Sequence, residues 1–296
     1  MRKLFITGGS GMLGSYTGVQ AAAYGWETWA TYSGHRVQLP GCRMAPLDIR
    51  DPAKVAEAIA EIQPDVIIHT AALVRPDFCE ERKADAFAVN VVGTQHVLAA
   101  AERVGAHLVH VSTDLVFDGG RKSFKPDDPL CPPNYYGLTK AAAEAAVYAS
   151  ALNWAIVRTT TLYGPRKFPF LNSFSDKVIE SLRAGRSVIA YTDQYRPSVP
   201  VWNVGEVLLE IAERRLTGIY HAVCPDVTTR YQLARRIAEL LGLDESLIEA
   251  VSVDDVEMVA RRPKVLVLDT TSTARALNTG LLTFEEGIRE LKERML

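Results

Sequence analysis

The sequence predicts a Rossmann-type α/β fold, with a doubly wound parallel sheet followed by a smaller C-terminal α/β lobe for a substrate. Short apolar runs alternate with longer helical segments through the first half of the chain. That alternation is the pattern of right-handed βαβ crossovers and a parallel sheet. A glycine cluster also lies between the first apolar run and an alanine-rich helical stretch, where a strand, a turn and a helix N-terminus can bind phosphate.

The glycine cluster satisfies two phosphate-binding spacings at once. Glycines at positions 8, 9, 11 and 14 fit both GxGxxG and GxxGxxG, and they follow the apolar run at residues 4–6. Glycine is needed there because a Cβ would block the turn or the approach of a pyrophosphate. We therefore predict a dinucleotide site at this glycine turn, residues 8–14; a plain tight turn without a ligand is the alternative interpretation.

The remaining elements of the first domain follow from hydrophobic periodicity and helix breakers. We predict strands at 27–32, just before 47–49, and at 65–70, 107–112 and 154–159, and helices up to 24, from 52 to 63, at 84–104 and at 134–150. Asp51 and Pro52 mark a helix start, as capping residue and first helical residue. A loop rich in proline and glycine separates the strand at 107–112 from the helix at 134–150.

After residue 165 the alternation is less regular. We predict helices at 172–184, 204–215, 229–241 and 284–295, and strands at 187–191, 218–223 and 265–268. This divides the chain into a dinucleotide-binding domain, 1–165, and a substrate-binding lobe, 166–296, from which residues near 199–223 return to the first domain. The cleft between them is where chemistry is expected, because pockets in open α/β sheets lie beyond the strand C-termini.

Composition excludes several function classes. The chain has 296 residues, is 48% hydrophobic and has a net charge of −2, so it predicts no general attraction to nucleic acid or to an anionic membrane. No apolar stretch is long enough to span a bilayer, and we expect a cytoplasmic protein. The four cysteines are scattered without a CxxC pair, and no ligand cluster has metal spacing; no metal is predicted.

A tyrosine and a lysine have a spacing that could serve catalysis. Tyr136 and Lys140 form a YxxxK pair on the helix predicted at 134–150, and residues i and i+4 share one helix face. A neighbouring ammonium group lowers the pKa of a phenol, which would suit Tyr136 for proton transfer near neutral pH. Tyr135 is i+5 from Lys140, about 140° around the helix, and fails this test. Taken alone, the pair is also compatible with a surface helix.

Hydroxyl groups follow the strand at 107–112. Ser112, Thr113 and Asp114 lie at its C-terminal end, where a hydroxyl can bind a substrate carbonyl or alcohol. The alternative is a turn in which these side chains satisfy backbone groups.

The end of the second strand favours NADP over NAD. An NAD site usually has an Asp or Glu about twenty residues after the glycines, on the ribose 2′-hydroxyl, and none is present here. Ser33, His35 and Arg36 could instead hold a 2′-phosphate, since the guanidinium fork suits phosphate. NAD(H) stays open as the alternative cofactor.

At these residues the sequence resembles the extended short-chain dehydrogenase/reductases, and within them the dTDP-4-dehydrorhamnose reductase (RmlD-like) family. The matching segments occur in family order from residue 1 to about 270. They are TGGSGMLG (7–14), DI (48–49), HTAA (69–72), NVVGT (90–94), STDLVFDG (112–119), the YxxxK pair, RT (158–159), DQ (193–194) and RPKVLVLDT (262–270).

The resemblance implies roles for individual residues. Tyr136 would be the general acid that protonates a keto oxygen during hydride transfer, Lys140 would bind the ribose hydroxyls and lower the pKa of Tyr136, and Thr113 would orient the carbonyl. The remaining cofactor contacts would come from the glycine turn and from the ends of the third and fourth predicted strands. These residues are Gly8, Gly11, Met12, Leu13, Gly14, Asp48, Ile49, Ala71, Ala72 and Leu73.

The family's substrate is a nucleotide-diphosphate keto sugar, whose diphosphate needs cations. The second half offers Arg166, Lys167, Arg196, Arg261, Arg262 and Lys264, of which Arg196 is the best single candidate. Asp114 and Trp202 are further candidate substrate contacts, although a core tryptophan is the alternative. Thr161 and Leu115 stand where members of the family often have aromatic residues. The resemblance also implies a homodimer.

Three functions remain open at this point. The first is an NADP-dependent reductase of a nucleotide-diphosphate keto sugar, similar to dTDP-4-dehydrorhamnose reductase. The second is a sugar-nucleotide epimerase that retains its cofactor. The absence of an acidic residue at the end of the second strand fits an exchanging NADPH better than a retained NAD. The third is a non-catalytic, NADP-binding regulatory subunit. The intact set of Thr113, Tyr136 and Lys140 argues against the third.

Overall fold

The computed structural model describes residues 2–165 and 173–295, and its strands and helices follow the predicted alternation. The strands are, in chain order, β1 (Lys3–Thr7), β2 (Glu27–Tyr32), β3 (Cys42–Pro46), β4 (Val66–His69), β5 (His107–Thr113), β6 (Trp154–Thr159), β7 (Leu162–Tyr163), β8 (Val188–Tyr191), β9 (Val199–Pro200), β10 (Gly218–His221) and β11 (Ile248–Val251). The helices are α1 (Met12–Ala23), α2 (Pro52–Ile62), α3 (Pro76–Glu81), α4 (Lys83–Phe87), α5 (Gly93–Val104), α6 (Tyr135–Tyr148), α7 (Phe174–Arg183), α8 (Val201–Arg214), α9 (Arg230–Leu241), α10 (Thr271–Ala276) and α11 (Phe284–Met295).

Across these residues the central sheet has seven parallel strands in the order β10-β6-β5-β4-β1-β2-β3. The chain first builds outwards from β1 through β2 to β3, and then returns to place β4 on the other side of β1. This reversal creates a crevice at the carboxyl edge of the sheet, between β1 and β4. The predicted Rossmann-type, doubly wound parallel sheet is confirmed.

Both faces of the sheet are covered, which explains why its strands are continuous apolar runs. On β1, Leu4 and Ile6 belong to the core shared with α1 and α8, while Phe5 points into the core shared with α2 and α5. All three side chains are completely buried.

Helix boundaries follow local chemistry. Asp51 caps α2, as predicted, because its carboxylate accepts hydrogen bonds from the N–H groups of Ala53 and Lys54, both at 3.1 Å. Asn134 caps α6 by accepting a hydrogen bond from Gly137 N–H at 2.9 Å. This cap sets the residue at which α6 begins. It thereby determines the direction of the helix face that carries the YxxxK pair.

Segment 199–223 contributes to the central sheet. β10 is an outer strand of that sheet and pairs with β6 from Gly218↔Ala155 to His221↔Arg158, and α8 packs on α1. The small parallel pair β8–β11 stands apart from the central sheet. The division into domains 1–165 and 166–296 stays a prediction.

Two predicted elements differ from the structure. The single helix expected at 84–104 is divided into α4, a π-helical turn (Ala88–Val92) and α5, where the buried Asn90 side chain leaves the helix to bind the backbone of Leu73. The strand expected at 265–268 is wrong, because this segment makes only isolated bridges, Val265 with Tyr195 and Leu268 with Phe124. β7, β9, β11, α3 and α10 have no counterpart in the sequence prediction.

In the described ranges, no helix combines the length and apolar character that crossing a membrane requires.

Candidate functional site

A cavity of about 910 Å³ opens at the carboxyl edge of the central sheet. Residues that follow β1, β2, β3, β4, β5 and β6 all line it, so it occupies the crevice that the strand order creates. Its size is in the range of sites for small molecules and cofactors.

Most of the residues predicted from the sequence meet in this one cavity. They are Gly8, Gly11, Met12, Leu13, Gly14, Ser33, Asp48, Ile49, Ala71, Ala72, Leu73, Thr113, Asp114, Tyr136, Lys140, Arg196 and Arg262. His35, Arg36 and Trp202 are predicted site residues that do not line it.

The glycine turn has the geometry of an anion site. Gly8 adopts a φ of +72°, and a Cβ on Gly14 would lie 2.4 Å from the carbonyl oxygen of Gly8. Within the part of the chain that the structure describes, no side chain caps α1 at Gly11. The first N–H groups of α1 therefore face the cavity with the positive end of the helix dipole, which fits the pyrophosphate of a dinucleotide.

A buried chain of hydrogen bonds underlies the turn. His69 Nδ1 lies 2.6 Å from Thr7 Oγ1, and His69 Nε2 lies 3.0 Å from Thr94 Oγ1. Because Thr94 donates its hydroxyl hydrogen to the carbonyl of Asn90, it accepts from His69, whose proton is thus on Nε2. Burial lowers the pKa of His69 to about 3, so it stays neutral and holds β1, β4 and the π-helical turn together.

Asn90 extends this chain to the helix that bears the catalytic candidates. Its side chain bonds both backbone groups of Leu73 and donates to Thr139 Oγ1 at 2.9 Å. Thr139 in turn donates to the carbonyl of Tyr136 at 2.7 Å. The cavity-lining segment after β4 and the first turn of α6 are therefore held in a fixed relationship.

Tyr136 is buried beside Thr113. A Cβ on Gly137 would lie 2.0 Å from the carbonyl oxygen of Leu115, so α6 packs directly on the turn that follows β5. Burial raises the pKa of Tyr136 above its ordinary value, and a hydrogen bond with the Thr113 side chain acts in the opposite direction. The expectation that Lys140 lowers this pKa is corrected: the desolvation of the phenol dominates.

Lys140 contacts a histidine that the sequence analysis missed. Its Nζ lies 3.1 Å from His110 Nε2 on β5. Burial lowers the pKa of Lys140 to about 8, and the nearby Glu144 carboxylate acts in the opposite direction. His110 lies on a buried strand without a motif of its own, and only the pairing of α6 with β5 reveals it.

Asp114 and Arg196 are paired with each other. Arg196 donates from Nε at 2.9 Å and from Nη2 at 2.6 Å to the Asp114 carboxylate, and Thr160 Oγ1 donates to it at 2.8 Å. Both members of the ion pair are buried. Arg196 lines the cavity as predicted, but its charge is already neutralised.

The other cations of the second half differ in their surroundings. Arg262 lines the cavity and pairs with Asp77 at 2.6 Å, while Lys264 pairs with Asp193 at 3.0 Å and with Asp254. Arg230 also lines the cavity and was not singled out in the sequence. Arg166 and Lys167 lie outside the described residues.

The prediction that Trp202 contacts substrate is corrected. Its side chain is completely buried, its ring lies 6.1 Å from the ring of Tyr163 on β7, and its indole N–H donates to Glu290 of α11 at 2.7 Å. A single aromatic residue in a sequence does not reveal whether it faces a core or a pocket.

The end of β2 only partly meets the cavity. Ser33 lines it, whereas His35 and Arg36 are exposed residues outside its lining. Arg50, which follows Asp48 and Ile49, does line it and is bonded to the Asp48 carboxylate at 3.0 Å. A 2′-phosphate role for His35 and Arg36 stays a prediction.

Comparison with known proteins gives consistent matches along the whole chain. The family model described as RmlD substrate binding domain matches residues 1–296. The dTDP-4-dehydrorhamnose reductase of Mycobacterium tuberculosis is 34% identical over 282 residues, which cover 93% of this chain and 87% of that protein. Methionine adenosyltransferase 2 subunit beta of Mus musculus is 31% identical over 300 residues, which cover 98% and 86%.

A solved structure supports the same relationship. The dTDP-4-dehydrorhamnose reductase of Bacillus anthracis in complex with NADP superposes with a TM-score of 0.85 at 26% identity, covering 98% of this chain and 99% of that one. The resemblance read from the motifs is thereby confirmed. The chain belongs to the RmlD substrate-binding-domain family, within the extended short-chain dehydrogenase/reductases.

Proposed function

We propose that this protein is an NADP-dependent reductase of a nucleotide-diphosphate keto sugar, with chemistry similar to that of dTDP-4-dehydrorhamnose reductase. One observation carries the proposal: Thr113, Tyr136 and Lys140 line the same cavity as the glycine turn. Relatives with this activity in their names, and one of them in complex with NADP, support it.

The cofactor would be held by the first turn of α1 and by the ends of β3 and β4. The uncapped N–H groups after Gly11 would bind the pyrophosphate, Asp48 and Ile49 would flank the adenine, and residues 71–73 would line the opposite side. When bound, the nicotinamide supplies the hydride that reduces the keto carbon. The protein contributes position and a proton.

Tyr136 would donate that proton to the keto oxygen. Its raised pKa keeps the phenol protonated at neutral pH, which is the form a general acid needs when a ketone is reduced. The Thr113 hydroxyl, bonded to the same phenol, donates to Asp114 Oδ1 in the structure and would turn its hydrogen to the carbonyl oxygen when substrate binds. The two hydroxyl groups thus define where that oxygen lies.

Lys140 would bind the ribose hydroxyls of the cofactor. In the structure its ammonium group lies against His110 Nε2, and its negatively charged neighbour Glu144 favours the protonated form. Glu144 is itself fixed by Arg158, whose Nη2 lies 2.8 Å from Glu144 Oε2 in a buried pair. This pair would hold α6, and with it Tyr136 and Lys140, against β6.

NADP is proposed over NAD because the end of β2 offers Ser33, His35 and Arg36 and no carboxylate. The same feature supports an exchanging cofactor, and hence a reductase, over an epimerase that retains NAD. A cytoplasmic location and a homodimer complete the proposal and are supported by family membership alone.

A non-catalytic regulatory subunit is the second candidate. The similarity to a protein that is named as a subunit, methionine adenosyltransferase 2 subunit beta, is the observation that favours it. The retained Thr113, Tyr136 and Lys140 favour the reductase, since a protein that only binds cofactor needs no proton donor in its cavity.

Calorimetric titration with NADPH and NADH, followed by absorbance decay of NADPH with a panel of keto sugar nucleotides, tests the proposal. We expect preferential NADPH binding and turnover of at least one 4-keto sugar nucleotide. Tight NADPH binding without turnover across the panel would favour the regulatory candidate. Failure to bind either dinucleotide would contradict both.

A further inference from the structure

The second half of the chain brings cations to the cavity wall, and two of them are already neutralised. Arg196 donates from two of its nitrogens to the buried carboxylate of Asp114, and Arg262 donates from two of its nitrogens to Asp77 at 3.0 and 2.6 Å. Each of these ion pairs is neutral overall. Neither arginine therefore offers an uncompensated positive charge to a ligand unless its carboxylate partner moves.

Arg230 has no such partner. Among residues 2–165 and 173–295, no hydrogen bond or ion pair joins its guanidinium to another residue, and its Nε is buried without an acceptor. Its only specific contact in these ranges is with the ring of Phe174, whose centroid lies 5.2 Å from Cζ. Burial and the positive charges of Arg196 and Arg262 lower the pKa of Arg230 to about 10, while Tyr191 and Asp114 act in the opposite direction without a direct bond; the group stays charged at neutral pH.

A half-buried guanidinium whose buried Nε lacks an acceptor, and that has no directly bonded carboxylate among the described residues, is costly to the folded protein. An anionic ligand would remove this cost, and the planar fork of arginine donors matches phosphate oxygens in particular. Arg230 therefore has the charge, the shape and the unsatisfied donor that a phosphate group would complete.

Arg230 reaches the cavity from α9, a different element from the glycine turn that would hold the cofactor's pyrophosphate. That group is already provided for by the glycine turn after β1. Arg230 is the first residue of α9 and neighbours Arg196, whose partner Asp114 directly follows Thr113. An anion on Arg230 would be attached to a molecule that reaches the hydroxyl groups of Thr113 and Tyr136.

We propose that Arg230 binds the diphosphate of the nucleotide-sugar substrate, and that Arg196 instead fixes Asp114 beside Thr113. This inference rests on the proposed function, since it takes a nucleotide-diphosphate sugar as the substrate. It replaces the sequence-based choice of Arg196 as the main phosphate ligand.

The test compares Arg230→Gln with Arg235→Gln. Arg235 lies on the same helix, is exposed and pairs with Glu245 at 2.7 Å, so its loss changes the total charge equally without altering the cavity. The probes are dTDP and thymidine, titrated calorimetrically at one salt concentration. They differ by the diphosphate, so the ratio of their dissociation constants isolates the contribution of that group to binding. NADPH affinity serves as the control for folding.

We expect dTDP to bind Arg230→Gln about tenfold or more weakly, as for loss of a charge-assisted contact, with thymidine and NADPH affinities unchanged. In turnover assays, KM for the keto sugar nucleotide should rise by a similar factor while kcat changes little. Arg235→Gln should match the wild type. Arg230→Lys, which keeps the charge and most of the stem, should recover part of the loss and serves as the test variant if Arg230→Gln does not fold.

The outcomes separate this inference from the proposed function. A dTDP-to-thymidine ratio that is the same in the wild type, Arg230→Gln and Arg230→Lys overturns the assignment of Arg230, even if the wild type reduces keto sugars. If substitution of Arg230 changes the dTDP-to-thymidine ratio but the wild type shows no turnover, the anion site is supported and the reductase is contradicted.

Discussion

Arg196 and Asp114, 82 residues apart in the chain, form a buried ion pair in the wall of the cavity, with Arg196 Nη2 2.6 Å from both carboxylate oxygens. Thr113 Oγ1 lies 3.1 Å from Asp114 Oδ1 and donates to it. The pair therefore connects the loop before β9 to the hydroxyl that would orient the substrate carbonyl.

Breaking this pair from one side should destabilise the fold. Arg196→Met leaves Asp114 as a buried carboxylate without its cation, and we expect the free energy of unfolding to fall by about 3–5 kcal/mol. Urea denaturation measures the change. The double variant Arg196→Met with Asp114→Asn removes the uncompensated charge and should recover much of the loss; a double variant whose loss equals the sum of the two single losses would show that the residues are not coupled.

The sequence predicted those parts of the site that depend on local patterns. The glycine turn, the strand ends and the i, i+4 spacing of Tyr136 and Lys140 are local, and the structure brings them to one cavity. The strands of the central sheet were predictable for the same reason, since each is a short apolar run between breakers. The bounds predicted for β2 and β6 agree with the structure.

The remaining parts depend on contacts between distant segments. No local pattern pairs Arg196 with Asp114, leaves the Arg230 Nε without an acceptor among the described residues or sets His110 against Lys140. The same holds for Trp202, whose core position follows from its contacts with Tyr163 and Glu290. The division of the expected helix at 84–104 arises because Asn90 binds Leu73, 17 residues away.

Cofactor binding should weaken above about pH 8, because the ammonium form of Lys140 is a stronger donor to the ribose hydroxyls than the neutral amine. Burial lowers its pKa to about 8 in the folded protein, so the ammonium form is present below that pH and lost above it. We expect NADPH affinity to be nearly constant from pH 7 to about 8 and then to fall by up to about tenfold per pH unit. Calorimetry across this range measures the break.

Lys140→Met is the control for this pH dependence. It should bind NADPH weakly at every pH and show no break near pH 8. A break of the same size in the variant would assign the titration to another group. Tyr136 should contribute no break in this range, because its raised pKa keeps the phenol protonated.

The glycine turn should not tolerate a methyl group at position 14. A Cβ there would lie 2.4 Å from the carbonyl oxygen of Gly8, so Gly14→Ala must move the turn. We expect a loss of about 1–3 kcal/mol in the free energy of unfolding and a loss of about tenfold or more in NADPH affinity. Gly280→Ala, whose Cβ would meet no atom within 4 Å, is the matched control. Equal affinities in the two variants would contradict a pyrophosphate site at the turn.

The preference for NADPH over NADH should depend on Arg36. Arg36→Ala removes a guanidinium that would pair with the 2′-phosphate, and we expect the ratio of NADH to NADPH dissociation constants to fall by about tenfold. Arg43→Ala removes another exposed arginine, bonded to Glu27 at 3.0 Å, and should leave the ratio unchanged. An unchanged ratio in Arg36→Ala would refute the assignment, and the cavity-lining Arg50 would be the next residue to substitute.

The central claim is that Tyr136 donates the proton in a reduction, and a comparison of Tyr136→Phe with Tyr135→Phe tests it most directly. The two tyrosines are adjacent on α6, but only Tyr136 is bonded to Thr113 and lines the cavity. Turnover is followed by NADPH absorbance with a 4-keto sugar nucleotide, and cofactor affinity by calorimetry. We predict that Tyr136→Phe lowers kcat by about 10²–10⁴-fold with NADPH affinity nearly unchanged, while Tyr135→Phe resembles the wild type. A Tyr136→Phe enzyme that turns over at the wild-type rate would contradict the claim.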